Sequence, residues 1–302
     1  MTARRPVRRL PGGWFSVAGT VDWVLASIGQ AVLLWMLPWP MMLIGRFGSA
    51  RTRHAVERGW ARSAARVLRL RIEVRGLDAV DATRRYLVLP LHEGLADPLV
   101  LFRMPMPLRF VARDELRSWP VVGPYLRMTG QLMAADGNRM PARALLRTAR
   151  HAVQRGESIV VFPQGSVLGI EVGFRPGALR LAQALELPVL PVVISGTHRV
   201  WEHPFSPLLR FGQRVTATIL PTVEVAGLDR RQLAATMLHL ERTMKEQALG
   251  PSHVAPRHYR PDRDGTWDDY AFVIDPAFDA VSAALPHRVR RQADVVTLSR
   301  AP

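Results

Sequence analysis

The spacing of apolar and polar positions divides the chain into a long uncharged stretch, an alternating middle and an irregular tail. The uncharged stretch, WVLASIGQAVLLWMLPWPMMLIG at residues 23–45, is bracketed by arginines. Arg4, Arg5, Arg8 and Arg9 precede it, and Arg46, Arg51, Arg53, Arg58, Arg62 and Arg66 follow it. Its length matches the ~20 residues that cross a hydrocarbon core. Pro38 and Pro40 each remove a backbone donor, so the pattern predicts a bent spanning helix or a monotopic hairpin in one leaflet. Basic flanks on both sides suit the monotopic form. A buried core helix is the bland alternative, and a signal peptide is set aside because no small-residue cleavage pattern follows. Residues 1–70 are thus expected to form a basic, apolar, membrane-associating helical segment, with residues 51–70 as an amphipathic helix.

Beyond it, short apolar runs alternate with helical spacing. RIEVRG (71–76), YLVLP (86–90), LRFVAR (108–113), SIVVFP (158–163), VLPVVISG (189–196) and RVTATILPTV (214–223) read as strands. ARALLRTARHAVQRG after Pro141, with Gly156 as its stop, reads as a helix, as do residues 177–188 and 229–247. WPVVGPYLRMTG mixes turn residues with an apolar stripe. This alternation predicts an α/β core over 71–225, with a mixed, largely parallel sheet flanked by helices behind an N-terminal apolar helical anchor. After Gly250 the pattern becomes polar and aperiodic, so residues 226–302 read as a helix plus an appendage or lid.

Composition narrows the partners. The 302 residues carry 41 Lys+Arg against 25 Asp+Glu, a net charge of +16, with 48% hydrophobic residues and no cysteine. A chain this apolar is not disordered, and disulfides, thiolate metal sites and cysteine nucleophiles are excluded. The positive surface is attracted to phosphates of nucleic acid or of an anionic leaflet. No zinc-finger spacing, RNP-type aromatic run or helix-turn-helix signature is present, so an anionic phospholipid membrane is the expected partner and nucleic acid is not. The expected location is the cytoplasmic face of the cell membrane. His92, His151, His198 and His203 are scattered without a His-Glu-x-x-His pattern, so no metal site is expected. His198, just after a strand, is a candidate to line a cleft.

The candidate chemistry lies after the YLVLP strand, in His92-Glu93-Gly94-Leu95-Ala96-Asp97-Pro98. On one continuous helix His92 and Asp97 would stand about 140° apart. Asp97-Pro98 reads as a helix start, which leaves His92 in the preceding loop, free to fold back on the carboxylate. An imidazole so oriented takes a proton from a hydroxyl near neutral pH. The bland reading is a loop histidine beside a capping aspartate.

His92-x4-Asp97 resembles the catalytic box of the glycerophospholipid acyltransferases, the PlsC-like family typified by lysophosphatidate acyltransferases. Other blocks follow in order: Arg113-x-Glu115-Leu116 with Pro120 and Gly123, then Gly137-Asn138-Arg139, Phe162-Pro163-Gln164-Gly165-Ser166, Phe174-Arg175-Pro176-Gly177 and Leu190-Pro191-Val192. The resemblance spans roughly residues 70–225. It implies a histidine base, an orienting aspartate and direct attack of a lysolipid hydroxyl on an acyl thioester, with acyl-CoA or acyl-ACP as donor substrate and no bound cofactor. It further implies substrate contacts from Arg113, Glu115, Arg139, Gln164, Gly165, Ser166, Arg175, Gly177 and Pro191, and backbone amides near Gly165 or the helix after Asp97 as oxyanion donors. The departures are Leu91 and Gly94 for the usual Asn and Ser, Asp136 for an arginine, and Gln164, Ser166 and Val167 for Glu, Thr and Arg. Two cations associated with acceptor phosphate are therefore missing. The expected acceptor is 1-acylglycerol-3-phosphate held by other arginines, or a lysolipid without a phosphomonoester, such as an aminolipid or glycolipid precursor. A binding protein without catalysis is the remaining alternative.

Overall fold

The computed structural model describes residues 38–119, 121–134, 142–201, 209–259 and 274–278, with the isolated positions 28 and 32. Seven strands form one sheet: β1 (Arg71–Arg75), β2 (Leu87–Pro90), β3 (Leu108–Arg113), β4 (Leu132–Ala134), β5 (Ser158–Val160), β6 (Val189–Ser195) and β7 (Arg214–Ile219). Their spatial order is β1-β7-β6-β2-β5-β3-β4. Every neighbouring pair is parallel except β6 and β7, so the sheet is mixed and mostly parallel. The helices are α1 (Pro38–Phe47), α2 (Ala50–Val67), α3 (Asp97–Leu101), α4 (Val122–Met128), α5 (Ala142–Gln154), α6 (Gly177–Ala184) and α7 (Arg230–Leu249).

Alternation along the strands sends side chains to two cores. Val88, Val160 and Val192 face one way, with Ala61 and Ala64 of α2, Leu68 just after it and Leu99 of α3. Leu87, Leu89, Ile159 and Val189 face the other, with Ala149 of α5, Ala178 of α6 and Met237 of α7. Because both faces are covered, β2 and β6 are buried at every residue, which explains their apolar sequences, broken only by Ser195 at the end of β6. Asp229 starts α7 with a capping box, its side chain accepting from the Arg231 and Gln232 amides while Gln232 reaches back.

The expected N-terminal membrane anchor is corrected here. Of the uncharged run, residues 38–45 belong to α1, a ten-residue helix. Ten residues rise about 15 Å, half of a ~30 Å hydrocarbon core. Among the described residues no helix is long and apolar enough to cross a membrane. Met41 and Met42 are buried, and a Cβ at Gly45 would lie 2.7 Å from Thr129 Cγ2, so one side of α1 packs on protein while Trp39, Leu43, Ile44 and Phe47 stay exposed. The membrane-spanning location assigned to this segment falls on the same ground. Residues 23–27, 29–31 and 33–37 of the run lie outside the described residues.

Two elements were not read from the pattern. The WPVVGPYLRMTG stretch contains α4, entered through Val121 at φ +63°, and β4 follows it at the sheet edge. At Gly123 a Cβ would stand 2.1 Å from the Arg117 carbonyl oxygen, so only glycine admits this tight entry. Beneath α4 lies a buried ionic cluster. Glu157 pairs with Arg53 of α2 and, at 2.7 Å, with Arg109 of β3. The Tyr125 hydroxyl donates to Glu57 Oε1 at 2.6 Å, and burial pushes the Glu57 carboxyl up to about 7.

Candidate active site

The central strand β2 ends at Pro90, and the loop behind it returns through a 3-10-like turn into α3. That turn converts a five-residue separation into contact. His92 Nδ1 lies 2.7 Å from Asp97 Oδ2, and the ring stacks on Phe162 with centroids 3.8 Å apart. The carboxylate accepts the Nδ1 proton, leaving Nε2 as the basic nitrogen on a ring that lines the cavity described below.

Asp97 is fully buried and every oxygen is engaged. Oδ2 also accepts from the Glu93 amide at 3.0 Å, and Oδ1 accepts from the Thr197 hydroxyl. Thr197 belongs to the turn Thr197–Arg199 that follows β6. The same turn is tied to Glu93, whose Oε2 accepts from His198 Nδ1 at 2.7 Å and from the Gly196 amide at 3.2 Å. Glu93 Oε1 accepts from the Arg257 amide at 3.0 Å. A Cβ at Gly94 would lie 2.7 Å from the His198 nitrogen, so the glycine permits this backbone approach. His198 is thus held beneath the loop and is not among the residues lining the cavity.

Gln164 supports the loop from β5. Its Oε1 accepts from the His92 amide at 2.7 Å, and its Nε2 donates to the Gly169 carbonyl at 2.9 Å. It is fully buried. Glu93, Thr197, His198 and Arg257 were not singled out as supports by the sequence reading, because their partners lie about a hundred or more residues away.

His92 opens into a cavity of about 1140 Å3, slightly above the ~300–1,000 Å3 usual for ligand sites. Its walls are mostly apolar, including Trp60, Phe102, Phe110, Leu145 and Leu181. Arg113, Gly165, Ser166, Arg175 and Gly177 also line it, as does Arg180, an exposed cation that no motif indicated. Arg113 donates to the Gly165 carbonyl at 3.4 Å. The Ser166 hydroxyl and the Trp201 indole N–H are shielded from solvent and have no partner among the described residues. Gln164 and Pro191 are buried outside the lining, Pro191 within β6 opposite Leu89. Arg139 and Asp136 lie outside the described residues, and so does the Glu115 side chain. Of the amides in the two regions expected to supply oxyanion donors, Gly165 N–H donates to Phe162 O and Asp97 N–H to Gly94 O.

The profile described as Acyltransferase matches residues 71–195, a span running from β1 to the end of β6 and holding the whole dyad. At family level the chain matches the PlsC-like 1-acyl-sn-glycerol-3-phosphate acyltransferases. A 1-acyl-sn-glycerol-3-phosphate acyltransferase from Cocos nucifera is 24% identical over 182 residues, 59% of this chain and 56% of the relative. A lyso-ornithine lipid O-acyltransferase from Rhizobium meliloti (strain 1021) is 24% identical over 148 residues, 48% of this chain and 50% of the relative. The chain spans about half the length of these curated relatives. The crystal structure of the 1-acyl-sn-glycerophosphate (LPA) acyltransferase PlsC from Thermotoga maritima superposes with a TM-score of 0.59 at 21% identity, covering 76% of this chain and 95% of that one. That likeness establishes the fold. The two curated relatives differ in the acceptor that their names specify.

Proposed function

We propose that the protein is an O-acyltransferase that moves a fatty acyl chain from an acyl thioester to the hydroxyl of a lysolipid. One observation carries this reading: a histidine oriented by a buried aspartate stands at the wall of a large apolar cavity. Asp97, fixed by Thr197 and the Glu93 amide, holds the His92 proton on Nδ1. Nε2 takes the acceptor's hydroxyl proton as the oxygen attacks the thioester carbonyl carbon. The tetrahedral intermediate collapses, the carbon–sulfur bond breaks, and the departing thiolate takes the proton back from Nε2. No acyl-enzyme forms, in keeping with the absence of cysteine and of a Gly-x-Ser-x-Gly elbow around Ser166. The apolar walls accommodate acyl chain, and the donor is acyl-CoA or acyl-ACP. Ser166 and Trp201 offer unpaired donors toward the cavity for the developing oxyanion or the acceptor.

The acceptor is either 1-acylglycerol-3-phosphate, met by Arg113, Arg175 and Arg180, or a lysolipid lacking a phosphomonoester. The second reading is favoured by Val167, which lines the cavity where the family carries an arginine, and by a relative named for lyso-ornithine lipid. Incubation with labelled acyl thioester and a panel of lysolipids, resolved by product mass, separates the two. In the same assay His92→Ala is expected to lose about 10²–10⁴-fold in kcat while the fold is retained. Undiminished turnover would remove His92 from the base role.

A further inference from the structure

On α2, His54, Arg58, Arg62 and Arg66 recur at every fourth position and so form one row along the helix. The three arginines of the row face Arg103, in the turn after α3, and together with Ala65, Leu70 and Leu77 they enclose a groove of about 350 Å3. This groove is separate from the catalytic cavity. Trp60 and Ala64 of the same helix, with Leu68 at its C-cap, line the cavity, and no residue lines both.

The groove differs from an ordinary solvated basic face. Among the described residues, none of the four arginine side chains has an ion pair or hydrogen bond. The Nε atoms of Arg58 and Arg103 are shielded from water and lack an acceptor. Burial, and then repulsion by Arg62, hold the Arg103 guanidinium below the ordinary arginine range. His54, at the head of the row, is pushed down to about 4, chiefly by burial, and Arg58 and Arg53 add to the effect. Four cations are thus gathered around a void with two donors already stripped of solvent. Converging guanidinium forks match the oxygens of a phosphoryl group, each fork offering paired N–H donors.

We propose that this groove is a phosphoryl-binding site, distinct from the catalytic cleft and independent of the acceptor assigned there. Its ligand carries a phosphate with at least two free oxygens, supplied by free phosphate or by the headgroup of an anionic phospholipid. The two sources are told apart by what else is bound: Leu70 and Leu77 at the rim offer apolar contact only to a lipid.

The test is thermal melting of the full chain at constant ionic strength. It is titrated with inorganic phosphate and, separately, with dihexanoyl phosphatidate below its critical micelle concentration. A saturable rise in Tm is expected, with the apparent affinity weakened at least tenfold in R62Q/R103Q and at least threefold in R62Q alone. Arg62 is exposed, so the single variant keeps the fold. His92→Ala is expected to bind phosphate as the wild type does, which separates failure of this site from failure of the catalytic reading. Equal affinity for the two ligands assigns the groove to free phosphate, and tenfold tighter binding of the lipid assigns it to a headgroup. Non-saturable stabilisation, or saturable binding unchanged in both variants, overturns the site.

Discussion

Gln164 illustrates how a single departure from a family pattern finds its reason in its neighbours. An amide both accepts from the His92 N–H and donates to the Gly169 carbonyl. An ionised carboxylate at the same place accepts from His92 but presents a lone pair to the Gly169 oxygen. Burial raises such a carboxyl, so Gln164→Glu folds best while protonated. Its stability is full below the unfolded glutamate pKa of about 4.3 and is lost as pH rises through the folded value. Q164E is therefore expected to melt near wild type at pH 5 and to lose about 1–3 kcal/mol by pH 8. Parallel melting curves for the two proteins across that range would refute the donor role of the amide. At this scale the sequence identified the two residues of the dyad, because a His-x4-Asp spacing across a helix start is a local pattern. It did not identify Thr197, Glu93 or Arg257 as supports. A threonine after a strand carries no mark of the aspartate a hundred residues earlier to which it bonds.

At the scale of elements, α2 is joined to the sheet both by apolar contact and by the Arg53–Glu157–Arg109 cluster with Glu57 and Tyr125 beside it. Glu57 binds its proton more tightly in the fold than in the unfolded chain, with a pKa raised from 4.5 to about 7. Its contribution is thus fully present below pH 4.5 and is lost as pH rises through 7. His54 acts in the opposite sense: depressed to about 4, it costs stability as pH falls below 6.5. Glu57→Gln removes the first dependence and leaves the second. The Tm of E57Q relative to wild type is accordingly expected to rise between pH 5 and pH 8, and a constant difference would show that Glu57 does not titrate there. Helices and strands with a single clean period were legible from the chain. The short α4 and β4 were not, since α4 depends on the Gly123 approach to Arg117 and β4 is three residues of edge pairing. Residues 38–45 of the first apolar run were misread as part of a span, because length and lack of charge describe a membrane span and a helix packed on protein along one side alike. What separates them is the partner surface, here supplied by Thr129 and its neighbours.

For the molecule as a whole, alternating strands and helices indicated a mixed, largely parallel sheet, but not the order β1-β7-β6-β2-β5-β3-β4. Strand order depends on which crossovers pack, and parallel pairings leave no adjacent turn to read. The stretch after α7 returns to the catalytic edge: His253 bonds Thr216 and Thr218, Arg257 bonds Glu93, and His258 and Tyr259 bond Glu171. Deleting residues 251–302 is expected to lower Tm by about 4–10 °C, from a few buried hydrogen bonds at ~1 kcal/mol each. It is also expected to reduce kcat more than it changes KM. Unaltered melting and turnover would mark the stretch as dispensable. The tie between Asp97 and Thr197 has a temporal consequence as well. A ribosome that has made His92 and Asp97 has not yet made the hydroxyl that completes the aspartate's shell, and at about 5–20 residues per second that group emerges some 5–20 s later. The hydrogen-bonded shell of Asp97 is therefore completed late in translation, after the sheet's central strands have been synthesised, so an unfinished chain carries the motif without its wiring.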